Sequence, residues 1–331
     1  MLGCSSFTFG TEDNAQFLSR TMDFSMYTDS GVVIVPRNYE MEVRQNELRK
    51  GKYAFLGMAA YKLQFPIFYD GINEKGLAGA TLYYPGFATY TEKKDARGGV
   101  NPLRVVSYIL ANAGSLDEAI ALFETIEIIN ESNSILGVVP PLHYIFSDGT
   151  GRSIIVEPDA DGIKIHQDTV GVMTNSPNYK WHEANLRNYI GVNPRSKEPI
   201  QTTTKTFSPF GQGSGTFGLP GDYTPPSRFL RTAYMKFYAS EPKNEIDGVT
   251  QIFHMLAPVE IPKGAVIHQN GHNDYTVYMT AMCTTSLRYY FCEYDNRRIK
   301  CVSLHQADLN NEKLEIFPLT MKQEIEFLNA D

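Results

Sequence analysis

The feature that most constrains the fold is the grouping of strand-like and helix-like segments along the chain. Segments with alternating polar and apolar residues, or with β-branched and aromatic runs, fill the N-terminal part, including "SSFTFGT", "QFLSRTMDF" and "LAGATLYYPG". Two helix-like segments follow, then more strand-like segments, further helix-like segments and a strand-rich C-terminal part. Grouped runs of this kind favour α+β layers over an alternating parallel-sheet fold.

Residue types at the segment ends predict particular turns and helix starts. Gly76 in "NEKG" suits a tight hairpin turn that requires positive φ. Pro102 stands near the start of the first helix-like segment. Ser115 and Glu118 have the spacing of a capping box for the next helix. We expect residues 295–296, Asp-Asn, to form the turn of the last long hairpin.

Residues 191–227 form the longest irregular stretch and are rich in Pro, Gly, Ser and Thr. Long loops in compact domains are usually functional or used in assembly. The segments on both sides look like parts of one structure, so the sequence predicts a single domain over residues 4–331.

Composition and charge exclude several function classes. A formal net charge of −7 argues against nucleic-acid binding, which needs a basic face. No apolar run approaches the roughly 20 residues of a membrane-spanning helix. The first residues lack the basic start and apolar stretch of a secretory signal, so we expect a cytoplasmic protein.

The 4 cysteines are too few for a disulfide scaffold in a chain of this length. Cys283, Cys292 and Cys301 have a spacing that fits no common zinc site, and we expect all three to pack in the core. The sequence therefore predicts reduced thiols, no metal and no cofactor.

Cys4, in the opening "MLGCSSF", has two interpretations. It is either a small buried residue of the first strand, or the first residue of the working protein after residues 1–3 are removed. If the first two strands pair through "TEDN", Arg20 and Asp23 return toward Cys4. The arginine would favour the thiolate and lower the pKa of the thiol. The alternative is a solvated Arg–Asp pair of little energetic value.

The second interpretation supplies a base without a histidine. A free α-amine has a pKa of about 7.7–8.0 and can exchange protons near neutral pH. On the same residue as the thiol it would act as the general base. His143, His166 and His254 lie in no recognisable nucleophile motif.

The ordered blocks of the chain resemble the choloylglycine hydrolase family of N-terminal-nucleophile amidases. The blocks are "MLGCSS", "SRTMDF", "VPRNY", "YDGINEKGLAGATLYYPG", "PPLHYIFSD", "GVMTNSP", "PFGQGSGTFGLPGDYTPPSRFLR" and "AMCTTSLRYYF". The resemblance implies a four-layer αββα sandwich of two antiparallel sheets. It also implies that Cys4 is the nucleophile, and that Arg20 and Asp23 tune the thiol and orient the amine.

Three more residues take roles through the resemblance alone. Asn175 matches the side-chain donor of the oxyanion hole, Tyr83 matches the position whose backbone N–H is the second donor, and Arg228 matches a further active-site arginine. Without the resemblance, Asn175 would be a turn former, Arg228 a helix cap and Tyr83 a core aromatic.

Substrates of the family join an acyl group through an amide to a small polar partner. Tyr83 stands where bile salt hydrolases usually carry Asn, and it could stack on an aryl acyl group. A three-residue segment before Cys4 also resembles penicillin V acylases. We therefore expect cleavage of penicillin V to phenoxyacetate and 6-aminopenicillanic acid, with bile salts or acyl-homoserine lactones as alternatives.

A non-enzymatic member that binds acyl amides, or an unprocessed precursor, also remains open. The resemblance further suggests a homotetramer in which the segment at residues 191–227 takes part in assembly.

Overall fold

The structure is a computed structural model that describes residues 3–25, 29–92, 99–132, 137–268, 271–320 and 322–329. Its helices are α1 (Val105–Asn112), α2 (Leu116–Phe123), α3 (Tyr179–Leu186), α4 (Pro225–Tyr238) and α5 (Glu245–Leu256). Its strands are β1 (Cys4–Gly10), β2 (Gln16–Phe24), β3 (Ser30–Val35), β4 (Glu40–Arg44), β5 (Glu47–Lys50), β6 (Phe55–Ala60), β7 (Ile67–Phe68), β8 (Asp70–Asn73), β9 (Ala78–Tyr83), β10 (Gly99–Val100), β11 (Glu127–Ile128), β12 (Leu142–Ser147), β13 (Ser153–Asp159), β14 (Gly162–His166), β15 (Val172–Met173), β16 (Ile200–Gln201), β17 (Thr206–Phe207), β18 (Val266–Ile267), β19 (Asn273–Cys283), β20 (Arg288–Glu293), β21 (Asn296–Ser303) and β22 (Glu315–Pro318).

Two antiparallel sheets dominate the fold. Sheet A has the strand order β15-β1-β2-β19-β20-β21, with β18 beside β19. Sheet B has the order β14-β13-β12-β9-β8-β6-β3-β22, with β7 beside β6. β1, which begins at Cys4, lies inside sheet A between β2 and β15.

The two sheets pack face to face between helices. Apolar residues of both sheets and of α4 and α5 form a first core cluster, which includes Val32, Ile34 and Cys4. A second core cluster joins the other face of sheet B to α1 and α2, and it includes Val33 and Val35. Successive residues of β3 thus face different clusters, as strand geometry requires. The expected four-layer αββα architecture is confirmed.

Gly76 and Ser115 have the conformation and contact that the sequence predicts. Gly76 has φ of +82°, and the Ser115 side chain accepts from the Glu118 backbone N–H, as expected. Pro102 instead begins a single 3₁₀ turn, and α1 starts only at Val105.

The turn of the last long hairpin is shifted by one residue from the prediction. Glu293 pairs with Asn296, so the turn residues are Tyr294 and Asp295, not Asp295 and Asn296. The sequence pattern identified the hairpin but did not fix its register.

The three C-terminal cysteines do not share one environment. Cys283 and Cys292 are buried, as expected, whereas Cys301 is exposed, so its predicted place in the core is wrong. Cys301 lies on β21, the last strand of sheet A, which has a neighbour on one side only. Cys301 lies opposite Tyr290, and the β20–β21 register shifts between Phe291 and Glu293. Cys292 and Cys301 therefore do not face each other across the hairpin.

The segment between α3 and α4 has little regular structure beyond the two-stranded β16–β17 ribbon. Several of its large apolar side chains are exposed, namely Ile190, Ile200, Phe207, Phe210 and Phe217. Within the described ranges, no helix is both long and apolar enough to cross a membrane.

Candidate active site

Cys4 is the first residue of β1 and is 2% exposed. The β1–β2 register places Cys4 opposite Met22 and Ser6 opposite Arg20, so Arg20 lies two residues before Met22 on the neighbouring strand. Arg20 is fully buried, and its Nη2 lies 2.9 Å from Cys4 Sγ and 2.9 Å from Met22 Sδ. The predicted approach of Arg20 to the thiol is therefore present in the structure.

Asp23 lies beside the peptide bond that precedes Cys4. Its backbone N–H donates to the Gly3 carbonyl at 3.0 Å, and its Oδ1 accepts from Thr276 Oγ1 at 2.6 Å. A Cβ added to Gly3 would lie 3.4 Å from Asp23 Oδ2 and 3.4 Å from Arg228 Nη2. Gly3 thus runs between a carboxylate and a guanidinium. Burial raises the pKa of Asp23 to about 6, although the Arg228 charge and the Thr276 hydrogen bond oppose it.

Asn175 and Arg228 hold the backbone of Cys4. Asn175 Oδ1 accepts from the Cys4 N–H at 2.9 Å and from Arg228 Nη2 at 2.7 Å. Arg228 Nη1 donates to the Cys4 carbonyl at 2.5 Å and to Ser5 Oγ at 2.9 Å. The backbone nitrogen of Cys4, a peptide N–H in this chain, therefore donates to Asn175. The predicted contact of Asp23 concerns the α-amine that removal of residues 1–3 would create.

Tyr83 contacts Asn175 through its main chain. Asn175 Nδ2 donates to the Tyr83 carbonyl at 2.8 Å. The Tyr84 N–H donates to the Pro141 carbonyl, on the β12 side of β9. By strand alternation the Tyr83 N–H points away from β12, toward the side on which the Thr81 N–H donates to Tyr69.

The ring of Tyr83 packs elsewhere. Leu82 belongs to the first core cluster with Cys4, whereas Tyr83 packs against the second, on the other face of sheet B. In this structure the ring is not placed to stack on a group bound at Cys4, contrary to the sequence-based expectation. Alternation along β9 is the physical reason, because neighbouring side chains point to opposite faces.

Sequence reasoning missed a buried group behind Arg20. Asp70 Oδ2 lies 3.4 Å from Arg20 Nη1 and accepts from the Tyr278 hydroxyl at 2.5 Å. Its Oδ1 accepts from the Tyr289 hydroxyl at 2.5 Å. Burial raises the pKa of Asp70, while the Arg20 charge and the two tyrosine hydrogen bonds oppose this. Nothing in the sequence next to Asp70, "YDG", indicates that this residue contacts Arg20, because its partners lie on strands that are distant in sequence.

Burial opposes ionisation of the Cys4 thiol in this arrangement. Burial raises the pKa of Cys4, and the Asp23 charge adds to the rise. Arg20 and Arg228 act in the opposite direction but do not outweigh burial. Arg20 lowers the pKa of the thiol, as expected, but desolvation of the thiolate is the larger effect.

The arrangement places a thiol, a backbone nitrogen, two guanidinium groups and an amide in one buried cluster. Cleavage before Cys4 would turn its nitrogen into an amine next to the thiol. Among the described residues, no group of three or more His, Cys, Asp and Glu side chains could hold a metal ion.

Comparison with known proteins gives a consistent family. A family model described as linear amide C–N hydrolases, choloylglycine hydrolase family, matches residues 4–317. A bile salt hydrolase/transferase of Clostridium perfringens is 31% identical over 330 residues, which cover 98% of this chain and 100% of the relative. A crystal structure of a conjugated bile acid hydrolase variant from the same species has a TM-score of 0.91 at 28% identity and covers 98% of this chain and 100% of its own. A penicillin V acylase of Pectobacterium atrosepticum is 24% identical over 320 residues, 88% of this chain and 78% of the relative.

Proposed function

We propose that this chain, which belongs to the choloylglycine hydrolase family of linear amide C–N hydrolases, uses Cys4 to cut the amide between an acyl group and a small polar amine. The observation that carries the proposal is the cluster at Cys4. Its thiol contacts Arg20 at 2.9 Å, and its nitrogen contacts Asn175 at 2.9 Å. The enzyme needs no cofactor in this proposal.

The α-amine of Cys4 acts as the base once residues 1–3 are removed. Burial raises the pKa of the thiol, so a base must take its proton as the sulfur attacks. An α-amine with a pKa of about 7.7–8.0 is suited to this step. The amine then returns the proton to the departing nitrogen, and water, activated by the same amine, hydrolyses the thioester. Arg20 stabilises the thiolate, and Asp23, beside Gly3, orients the new terminus.

Asn175 and Tyr83 stabilise the tetrahedral oxyanion. Asn175 Nδ2 carries two hydrogens. One donates to the Tyr83 carbonyl, and the other has no acceptor within the described parts of the chain. The Tyr83 N–H, which points away from β12, supplies the second donor. Arg228 fixes the acceptor side of the same amide at 2.7 Å.

The chain activates itself by cutting the Gly3–Cys4 bond. Leu2 is bulky and protects Met1 from ordinary methionine removal, whereas Gly3 has no side chain between Asp23 and Arg228. Met1 and Leu2 lie outside the described residues. Intact-mass measurement of the active protein should show a chain that starts at Cys4.

Conjugated bile salts are the first candidate substrates. Full-length similarity to proteins named as bile salt hydrolases, at 31% identity, supports this assignment. The amide in such substrates joins a steroid acid to glycine or taurine. This choice reverses the order in the sequence analysis, since the similarity to a penicillin V acylase is lower, at 24% identity.

Penicillin V is the second candidate, supported by the similarity to a penicillin V acylase at 24% identity. Tyr83 replaces the Asn that bile salt hydrolases usually carry, although its ring packs against the second core cluster. The test is one preparation of the processed protein assayed for kcat/KM on glycocholate, taurocholate, penicillin V and an acyl-homoserine lactone. The Tyr83→Asn variant is the matched control, and it should raise the ratio of glycocholate to penicillin V hydrolysis if residue 83 sets the preference.

Each result of this panel decides one question. Preference for glycocholate or taurocholate supports the first candidate, and at least tenfold preference for penicillin V, about 1.4 kcal/mol, supports the second. No hydrolysis of any substrate by a protein that starts at Cys4 and has an alkylatable thiol would contradict the amidase proposal.

The assembly proposal is a homotetramer in the cytoplasm. Exposed apolar side chains on the segment between α3 and α4, among them Phe207, Phe210 and Phe217, support contact with a second copy. Light scattering should give the mass of four chains, and Phe210→Ser with Phe217→Ser should reduce it. A monomeric parent protein would contradict the proposal.

A further inference from the structure

We propose that His182 is a positioning residue that holds the main chain of Asn175 and so aims its side chain at Cys4. His182 lies on α3 and is 3% exposed. Its Nε2 lies 2.9 Å from the Asn175 carbonyl oxygen. This inference rests on the proposed oxyanion role of Asn175.

The chemistry of the contact fixes the form of the ring. A carbonyl oxygen only accepts, so Nε2 must carry the hydrogen. Burial lowers the pKa of His182 to about 4, and the ring is therefore neutral at neutral pH. Nδ1 is then unprotonated, and it has no hydrogen-bond partner among the described residues. The single N–H of the ring is committed to Asn175.

Packing against two aromatic side chains restrains the plane of the His182 ring. It stacks on Phe229, with the centroids 4.6 Å apart and the planes at 12°, and Trp181 meets it edge-on at 5.5 Å. Phe229 follows Arg228, which donates to the Asn175 side chain. Helix α4 therefore holds the Asn175 amide directly, while α3 holds the carbonyl of the same residue through a ring that α4 supports.

A second histidine anchors the preceding carbonyl. His143 Nε2 lies 2.9 Å from the Thr174 carbonyl oxygen, and its ring stacks on Tyr84 at 4.4 Å. Two consecutive carbonyls are thus fixed from different elements, β12 and α3. Because a residue's side-chain direction follows its main-chain orientation, loss of the His182 anchor lets the Asn175 amide turn away from the oxyanion position.

The test compares three substitutions in protein that starts at Cys4, verified by intact mass. To separate the effect from self-processing, the gene lacks the codons for Leu2 and Gly3, so methionine removal exposes Cys4. His182→Gln keeps an N–H donor near the Nε2 position. His182→Asn has a donor that is too short to reach, and His182→Leu has none.

We expect kcat to fall about tenfold or more in His182→Leu and His182→Asn, with KM changed by about twofold at most. His182→Gln should remain within about threefold of the parent kcat. Alkylation of Cys4 by iodoacetamide needs no oxyanion donor, so its rate should stay unchanged in all three. Equal kcat in His182→Gln and His182→Asn would overturn the proposal, as would parallel loss of kcat and alkylation.

A cycle with Asn175→Ala tests whether His182 acts through Asn175. His182→Leu should cost little further kcat in an Asn175→Ala background, because the residue it positions is already gone. Full additivity of the two losses would overturn the proposal.

Hydrogen exchange of a peptide that spans residues 172–178 gives a readout that does not need activity. Exchange there should be about tenfold faster in His182→Leu than in His182→Gln. Equal exchange would overturn the positioning role. A parent protein that hydrolyses no panel substrate would overturn the proposed function instead, and the exchange result would still decide whether His182 holds this segment.

Discussion

His182 also predicts a specific dependence of stability on pH. The pKa of His182 is about 4 in the folded protein, against an ordinary 6.5, because the ring is buried. As the pH falls below 6.5, the unfolded chain takes up a proton that the folded chain does not. The contribution of His182 to the free energy of unfolding is therefore fully present above pH 6.5 and is lost as the pH falls toward 4.

The two pKa values set the size of the effect. The complete contribution is at most about 3 kcal/mol, and about 2 kcal/mol of it should be lost between pH 7 and pH 5. His182→Gln keeps the donor to Asn175 but does not titrate. The stability difference between parent and variant should therefore shrink, or reverse in favour of the variant, by about 2 kcal/mol over this interval.

Urea unfolding at pH 7, 6 and 5 measures the difference at one protein concentration, which keeps any contribution of assembly constant. Asp23, whose pKa burial raises to about 6, titrates in this interval in both proteins, so its contribution cancels in the comparison. A parent–variant difference that is the same at all three pH values would refute the reasoning, because His182 would then have similar proton affinity in the folded and unfolded states.

Three further outcomes are expected. Cys4→Ala should retain residues 1–3 by intact mass, and an active protein that still carries Met1 would contradict self-processing. Asn175→Ala should fold with kcat lowered by about 10²–10³, whereas near-normal turnover would leave Asn175 a turn residue. In folded Cys4→Ala protein a disulfide reagent should modify one thiol quickly, at Cys301, since the other two cysteines are buried; fast reaction of all three would contradict the buried positions.

The residues of the site that lie close to Cys4 in the sequence were the easiest to predict. A short hairpin between two strands brings Arg20 and Asp23 back toward Cys4, so spacing indicated their proximity. The family resemblance gave these two residues their roles. Asn175 and Arg228 lie 171 and 224 residues from Cys4, and only the family resemblance pointed to them. Local periodicity specifies which face of a strand is buried, but not which strand lies beside it.

The same limit explains what was missed or wrong. Asp70 contacts Arg20 only because sheet B packs on sheet A. Neither the segment around Asp70 nor the segment around Arg20 indicates this packing by itself. The sign of the Cys4 pKa change depended on the degree of burial, which the sequence does not give. The position of Cys301 depended on β21 being the last strand of its sheet.

The long sequence separation between Cys4 and Arg228 also determines how late in translation the site can assemble. Arg228 follows Cys4 by 224 residues. At about 5–20 residues per second, it is made roughly 10–45 s later. During that interval the growing chain carries Cys4 but lacks the Arg228 guanidinium that holds the Cys4 backbone. A chain released before α4 is complete therefore keeps Cys4 but has no assembled site, and more than two thirds of the chain must be made before the protein can act.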